Sequence, residues 1–289
     1  MTNPFFSIII PSYNRSFIIT RAIDSVLSQL FSDFELIIID DGSTDNTKLI
    51  LQDYSNDIRI KYIYQNNAGV CAARNTGAKA ASSDFLIFLD SDDTVETCWL
   101  QDFYDLAIQN KDYLFCSMKI IKQDFSEYLV SALNPYKNKK IRGNSIPGSW
   151  AIKKDVFLRV GMFDENMKFG ENVELRFRLG AEKLSVGVVD NYNFTYFESS
   201  NGGSRNLKNT IDSNLYIIKK HSNMFNKNPF LLRLYYQNIA VAYAKLGIWD
   251  KARIYFWKAY LTDMLKLKTL ARFIFSLIPF FGKKIWKQQ

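Results

Sequence analysis

The sequence predicts an α/β fold: a doubly wound, mostly parallel sheet flanked by helices, followed by a C-terminal helical extension. Three observations carry that expectation. Short apolar runs alternate with amphipathic helical stretches at βα spacing through the first half of the chain. The runs are nearly continuous, as in strands covered on both faces. Residues 85–89, all apolar, lead straight into Asp90-Ser91-Asp92-Asp93, so a buried strand ends in three carboxylates within four positions. Ligands of such sheets bind outside the carboxyl ends of the strands, so this junction is where chemistry is expected.

Residues 6–10 read as the first strand and 18–30 as the helix after it, with Ile19, Ala22, Ile23, Val26, Leu27 and Leu30 on one face. A second strand covers 34–39, and Asp40-Asp41-Gly42-Ser43 then turns the chain into a helix that Ser43 or Thr44 would cap. Residues 58–64 alternate as a strand, and an Ala-rich helix over 70–80 follows the Asn66-Asn67-Ala68-Gly69 turn. After the strand at 85–89 come a helix over 96–110 and a strand at 113–117. The pattern blurs from 118 to 147 into a Lys-rich loop and a candidate hairpin, with the charged run 137–142 read as a solvated loop. Regularity returns with a strand at 149–153, a helical turn at 154–160, a helix over 172–181 and strands near 185–189 and 194–197.

Ser199-Ser200-Asn201-Gly202-Gly203-Ser204 is the clearest linker, and the charge changes sign there. Residues 1–200 hold 21 Lys and Arg against 26 Asp and Glu, whereas residues 201–289 hold 16 against 3. One domain is expected over 1–200 and a basic helical region over 201–289, including a hairpin of 231–246 and 251–264 around Gly247 and Asp250. The stretch 265–289 mixes Phe273, Phe275, Leu277, Ile278, Phe280, Phe281 and Trp286 with six Lys and Arg. Either it docks on the protein core or it lies in the headgroup plane of an anionic bilayer, and the coincidence of apolar and basic residues favours the membrane surface. Nucleic acid is not expected as a partner, because the basic residues interleave with aliphatic bulk and no reader motif is present. Three cysteines without metal spacing point to a reducing compartment and no disulfide framework. The start of the chain lacks a signal-peptide pattern and no apolar run reaches about 18 residues, so a cytoplasmic location is expected.

Three strand ends carry polar residues and would converge at one sheet edge. Pro11-Ser12-Tyr13-Asn14 offers a tyrosine ring for a nucleobase, or a half-buried loop aromatic. Asp40-Asp41 offers carboxylates for a base N–H or a ribose hydroxyl, or a helix cap. Asp90-Ser91-Asp92-Asp93 offers hard oxygen ligands for Mg²⁺ or Mn²⁺ shared with phosphate oxygens. Three such ends together point to a nucleotide.

The blocks Ser7-Ile8-Ile9-Ile10-Pro11-Ser12-Tyr13-Asn14, Asp40-Asp41-Gly42-Ser43-Thr44-Asp45, Ala73-Arg74-Asn75-Thr76-Gly77 and Leu89-Asp90-Ser91-Asp92-Asp93 resemble family 2 glycosyltransferases of the GT-A fold, over about residues 5–200. The resemblance implies an inverting transfer from a nucleotide-sugar, with UDP-sugar the expected donor and a saccharide or lipid-linked saccharide of surface polysaccharide assembly as acceptor, at the inner face of the cell membrane. It implies that Pro11, Tyr13 and Asp41 hold the uracil with Asp40 beside them in the nucleotide site, that Arg74 and Asn75 lie near the nucleotide and its phosphates, and that Asp90, Ser91 and Asp92 form the Asp-x-Asp element, with Asp92 and then Asp90 as ligands of Mn²⁺ or Mg²⁺. Trp150 and Asp164 match a segment lining the acceptor side, where the Trp150 ring would stack on a sugar or else serve as a large core aromatic. Related enzymes open a helix with a Glu-Asp pair and carry an Arg six residues beyond the Asp; here Glu171 and Arg178 are kept but Asn172 occupies the Asp position. An amide is no carboxylate base, so Glu171 or Glu174 is expected to take that role, with Asn172 orienting acceptor or base.

Two rival readings have a basis in the residues. Asp90-Ser91-Asp92-Asp93-Thr94 superficially fits the nucleophile motif of haloacid-dehalogenase phosphatases, but it follows three earlier strands and no later acidic pair supports it. Asn172 favours a catalytically impaired nucleotide-binding scaffold that uses its helical tail for assembly; the sequence is compatible with an oligomer.

Overall fold

The computed structural model describes residues 3–133, 146–199, 206–264 and 267–277. The charged run 137–142, linker positions 200–204 and tail positions 278–289 lie outside the described residues. The chain divides into two compact units, one of residues 1–166 and 171–199, the other of residues 167–170 and 200–289.

The first unit is built on a mixed sheet. Strands β1 (Phe6–Ser12), β2 (Phe34–Asp41), β3 (Ile60–Gln65) and β4 (Phe85–Phe88) lie parallel in the order β3-β2-β1-β4. Every residue of β1 and β4 is buried, which is why these segments read as apolar runs, whereas β3, the edge strand, has no fully buried residue. Beyond β4 the sheet continues through β8 (Trp150–Lys153), β6 (Tyr113–Ile121), β9 (Val186–Phe197) and the two-residue β5 (Thr94–Val95). Strand β8 is antiparallel to both neighbours, β6 and β9 run parallel, and β7 (Glu127–Val130) forms the expected hairpin with β6.

Helices α1 (Ile19–Leu27), α2 (Thr47–Leu51, prolonged by a 3-10 turn, Gln52–Tyr54), α3 (Val70–Ala80), α4 (Trp99–Ala107), α5 (Lys154–Arg159) and α6 (Glu171–Leu179) complete the unit. Helix α1 buries Ile19, Ala22, Ile23 and Val26, four of the six face residues read from the sequence, but stops before the exposed Leu30. The two strands expected near 185–189 and 194–197 are one strand. Polar residues Asp190, Asn191 and Asn193 interrupt its apolar pattern, and they are accommodated by a register shift opposite Ser117, which donates to Asp190, and by amide bonds from Asn191 and Asn193 to Asp102.

One glycine lets helix α3 sit close against the sheet. A Cβ built on Gly77 would lie 2.4 Å from Ile9 Cγ2 of β1 and 3.4 Å from Ile39 Cγ1 of β2. Only a residue without a side chain allows this close approach of helix to sheet.

The second unit is helical: α7 (Leu207–Lys220), α8 (Ser222–Lys227), α9 (Pro229–Lys245), α10 (Trp249–Thr262) and α11 (Leu267–Leu277). Asn206 caps α7 and Asn228 caps α9 through side-chain oxygens, and Gly247, with φ +76°, closes α9 before α10. Ala240, Ala244, Ala252, Phe256 and Ala259 are buried in this hairpin. Among the described residues, no helix is long and apolar enough to cross a membrane.

Candidate active site

The parallel register brings three strand ends side by side. Ser12 pairs with Asp40, Asp41 with Gln65, and Leu89 N donates to Ile9 O at 3.0 Å, so the loops after β1, β2 and β4 leave from one edge. Asn14, in the left-handed region at φ +52°, ties the first two loops together. Its Oδ1 accepts from Thr44 N at 2.8 Å and Asp45 N at 3.3 Å, and its own N–H reaches Ser43 Oγ at 2.9 Å. The sequence reading passed over Asn14 as a functional residue; its place between two polar strand ends was the available signal. Tyr13 stands beside it, about half exposed.

Asp40 and Asp41 are buried and already engaged. Asp40 accepts from Ser43 N (2.8 Å) and the Tyr62 hydroxyl (2.9 Å). Asp41 accepts from Gln65 Nε2 (2.7 Å), Ala68 N (2.9 Å) and Gly69 N (2.8 Å). It therefore fastens the 65–69 segment that leads into α3, a helix other than the one that follows it directly in the chain.

Helix α3 delivers Arg74 to the centre of the site. Arg74 is 3 % exposed, and its guanidinium forks between two carboxylates: Nη2 to Asp90 Oδ1 at 2.6 Å and Nη1 to Glu171 Oε1 at 2.8 Å. Burial would lower its pKa, but the charges of Asp90 and Glu171 outweigh that and raise it, so the group is permanently cationic. The bidentate reach couples the Asp-x-Asp turn to the start of α6, residues 16 and 97 positions away. Asn172 donates its amide to the same Glu171 Oε1 at 2.8 Å. Glu171 thus sits under two donors, at the edge of the buried zone.

Glu174 lies in different surroundings. It is fully buried one turn into α6 and clasped by Arg178, whose Nε is 3.0 Å from each carboxylate oxygen and whose Nη2 is 2.6 Å from Oε2, while Arg178 Nη1 reaches Val160 O at 2.5 Å. This pair locks α6 against the end of α5.

The Asp90-Ser91-Asp92-Asp93 turn carries the crowded carboxylates. Burial and the Asp90 charge raise the pKa of Asp92, and burial with the charges of Asp90 and Asp92 raises that of Asp93 well above the carboxylate range. Asp93 Oδ1 accepts from Phe197 N at 2.9 Å, which ties the turn to the end of β9. Ser91 is buried within it. Arg21 of α1 donates to the Asp92 carbonyl and stacks 3.7 Å over the Phe197 ring. No motif marked Arg21; only the packing of α1 beside the turn reveals it.

Among the described residues, five buried side-chain polar atoms have no hydrogen-bond partner: Arg74 Nε, Asp93 Oδ2, Asn172 Oδ1 and Ser12 Oγ belong to this region, and Arg233 Nε lies on α9 in the other unit. Folded proteins leave few such groups, so their concentration around one set of carboxylates fits a polar ligand. The same observation serves as the test for a divalent cation. No group of three or more His, Cys, Asp or Glu residues able to hold a metal occurs among the described residues. Mg²⁺, however, is commonly held by one or two carboxylates with substrate phosphates completing the sphere, and crowded Asp90 and Asp92 match that donor set.

The remaining expected residues have partners within the protein. Asn75 is buried and clamps the 163–165 loop, donating to Phe163 O and Glu165 Oε1 at 2.9 Å each and accepting from Phe163 N at 3.0 Å. Trp150 is 1 % exposed, with ring centroids of Phe88, Tyr113 and Phe163 5.5, 5.8 and 6.5 Å away, so it supports the β4–β8 core and shows no free ring face. Asp164 accepts from Asn166 N and Nδ2 at 3.0 Å, closing a turn.

A nucleotide-type site at the carboxyl edge of a mixed α/β sheet defines a class, and the comparisons with known proteins agree with it. Residues 7–157 match the model of Glycosyl transferase family 2, and the chain belongs to that family. It is 31 % identical over 214 residues to the uncharacterized glycosyltransferase EpsJ of Bacillus subtilis, covering 68 % of this chain and 62 % of that protein. It is 49 % identical over 205 residues to an uncharacterized glycosyltransferase of Rickettsia conorii, covering 64 % of this chain and 31 % of that one. The chain spans about three fifths of the length of the first curated relatives it matches. S. aureus TarS 1-349 in complex with UDP-GlcNAc aligns with a TM-score of 0.66 at 18 % identity, over 94 % of this chain and 90 % of that one. The fold is therefore GT-A, and the phosphatase alternative is overturned: the aspartate turn follows the fourth strand of this sheet in a family 2 chain.

Proposed function

We propose that this protein transfers a sugar from a UDP-sugar to a saccharide or lipid-linked saccharide, with inversion at the anomeric carbon, in surface polysaccharide assembly at the inner face of the cell membrane. One observation carries the reading: a buried arginine joins the Asp-x-Asp turn to Glu171, so the diphosphate end and the acceptor end of a transfer site are fixed to one guanidinium. The solved relative bound to UDP-GlcNAc supports the donor class.

In this reading Pro11, Tyr13, Asp40 and Asp41 frame the nucleobase, with Asn14 and the bonds of Asp41 holding the frame closed. Asp92 and Asp90 hold Mn²⁺ or Mg²⁺, which supplies positive charge for the departing diphosphate. Glu171 takes the proton of the acceptor hydroxyl as its oxygen bonds to the anomeric carbon and the bond to the diphosphate breaks. Arg74 and Asn172 aim the Glu171 carboxylate, and Asn172 Oδ1, buried and unpartnered, is placed to receive an acceptor hydroxyl. Glu174 keeps a supporting role through Arg178. Residues 1–200 form the transferase domain and residues 201–289 serve acceptor or membrane association.

Asn172 also supports the scaffold reading, and one experiment separates the two. A nucleotide-sugar panel is screened by thermal shift with and without Mn²⁺, and, for the donor that stabilises, transfer of labelled sugar to an acceptor extract is followed together with release of UDP. Transfer by the native chain, lost on Glu171→Gln while donor stabilisation persists, establishes the enzyme. Stabilisation without transfer establishes the scaffold.

A further inference from the structure

The helical unit carries an apolar surface that its own core does not use. On α10, Ile254, Trp257 and Leu261 recur at helical spacing, Met264 continues the line just past the helix, and each is between 42 % and 58 % exposed. Buried Ala252, Phe256 and Ala259 occupy the opposite side of the helix. Helix α11 extends the surface: Trp257 packs on Phe273 at 5.0 Å, Arg253 Nε donates to Ser276 O at 3.1 Å, and Ile274 and Leu277 are about half exposed. Soluble surfaces seldom leave a line of large apolar side chains such as Ile254, Trp257 and Leu261 open to solvent without an occupant.

The charges around the stripe indicate the occupant. Lys251 and Lys258 project from the flank of α10 next to Ile254 and Leu261, and Lys258 lies 5.0 Å over the Tyr255 ring. Lys268 and Arg272 are exposed on α11, and residues 245–289 hold ten Lys and Arg against two Asp. A protein partner of opposite charge would satisfy the lysines but leave a row of Ile, Trp, Leu and Met to be matched side by side. An anionic bilayer satisfies both at once, with apolar residues and tryptophan entering the acyl boundary and ammonium groups staying at the phosphates. We propose that the α10–α11 face, centred on Trp257 and Leu261, is a docking surface for anionic lipid. Where the proposed acceptor is lipid-linked, this surface would bring the enzyme to it.

The test is sedimentation of the full chain with vesicles of phosphatidylcholine alone or mixed with phosphatidylglycerol. Binding is expected only to the mixed vesicles and weakens with added salt. Trp257→Glu with Leu261→Glu should reduce it at least about tenfold, and Lys251→Glu or Lys258→Glu about fivefold each; because Trp257 also packs on Phe273, circular dichroism checks that the helices persist, and Leu261→Glu alone, at a half-exposed side chain, should lower binding in the same direction. No binding to mixed vesicles, equal binding by the variants, or self-association that the paired substitution abolishes without changing vesicle binding would overturn the proposal. Vesicle binding is read without turnover, so the assignment of glycosyl transfer stands or falls separately.

Discussion

Replacing Arg74 by lysine tests the site at its most connected point. The guanidinium makes two charge-assisted bonds, 2.6 Å to Asp90 and 2.8 Å to Glu171, from a position almost out of contact with water. A lysine keeps the charge, but a single ammonium cannot reproduce a fork that spans two carboxylates. One of the two bonds is lost, and hydrogen bonds to charged groups contribute about 1.5–3 kcal/mol each. We expect Arg74→Lys to lower unfolding free energy by that amount in urea titrations. Arg74→Met should lower it by about 3–5 kcal/mol, because Asp90 and Glu171 both lose their counter-charge and Glu171 keeps only the Asn172 amide as a donor. The kinetic signature separates positioning from bulk stability. If Arg74 aims Glu171, kcat for UDP release falls about a hundredfold in Arg74→Lys at temperatures where the variant is folded, as expected for a catalytic group displaced by about 1 Å, while the KM for donor changes little. In a Glu171→Gln background the stability cost of Arg74→Met should shrink by about 1–2 kcal/mol, the coupling expected of directly bonded partners. An Arg74→Lys variant with native midpoint and native kcat would refute the reasoning.

Further outcomes follow from other contacts. Gly77→Ala gains helix propensity of about 1 kcal/mol but forces a Cβ to within 2.4 Å of Ile9. Overpacking costs about 1–3 kcal/mol, and the displaced helix should also weaken donor stabilisation; a raised melting temperature would contradict this. Asp41→Asn replaces one of the two acceptor oxygens by N–H₂, which must then face either Gly69 N–H or the Ala68 N–H and Gln65 donors, so stability should fall by about 1–3 kcal/mol, with nucleotide affinity falling alongside when measured by calorimetry. Thiol labelling at pH 8 should modify Cys98 alone. Cys98 is exposed, whereas burial pushes Cys71 up to about 12 and Cys116 higher still, keeping both as unreactive thiols. A second equivalent of fast label in native buffer would contradict the structure.

Much of this protein was legible before any coordinates. Most strands and helices of the first half fall where apolar runs and helical spacing put them, although β5 is unannounced and α2 begins at Thr47 with no side-chain cap from Ser43 or Thr44, and the Asp-x-Asp turn declares itself because hydrophobic burial and carboxylate solvation demand opposite surroundings. Family membership followed from four short blocks whose residues are constrained by local backbone and ligand chemistry. Partnerships across long sequence separations were not legible. That Arg74 would choose Asp90 and Glu171, that Asp41 would anchor the loop before α3, and that Glu174 would be claimed by Arg178 while Glu171 was left at the edge are outcomes of helix placement on the sheet. The same holds for Trp150, whose composition suits a sugar platform or a core equally well until β8 turns it inward against Phe88. Local pattern sets which residues lie on which element and face, because burial is a property each segment expresses by itself. Which charged group meets which depends on register and close packing between segments far apart in the chain, and that information exists only once they are assembled.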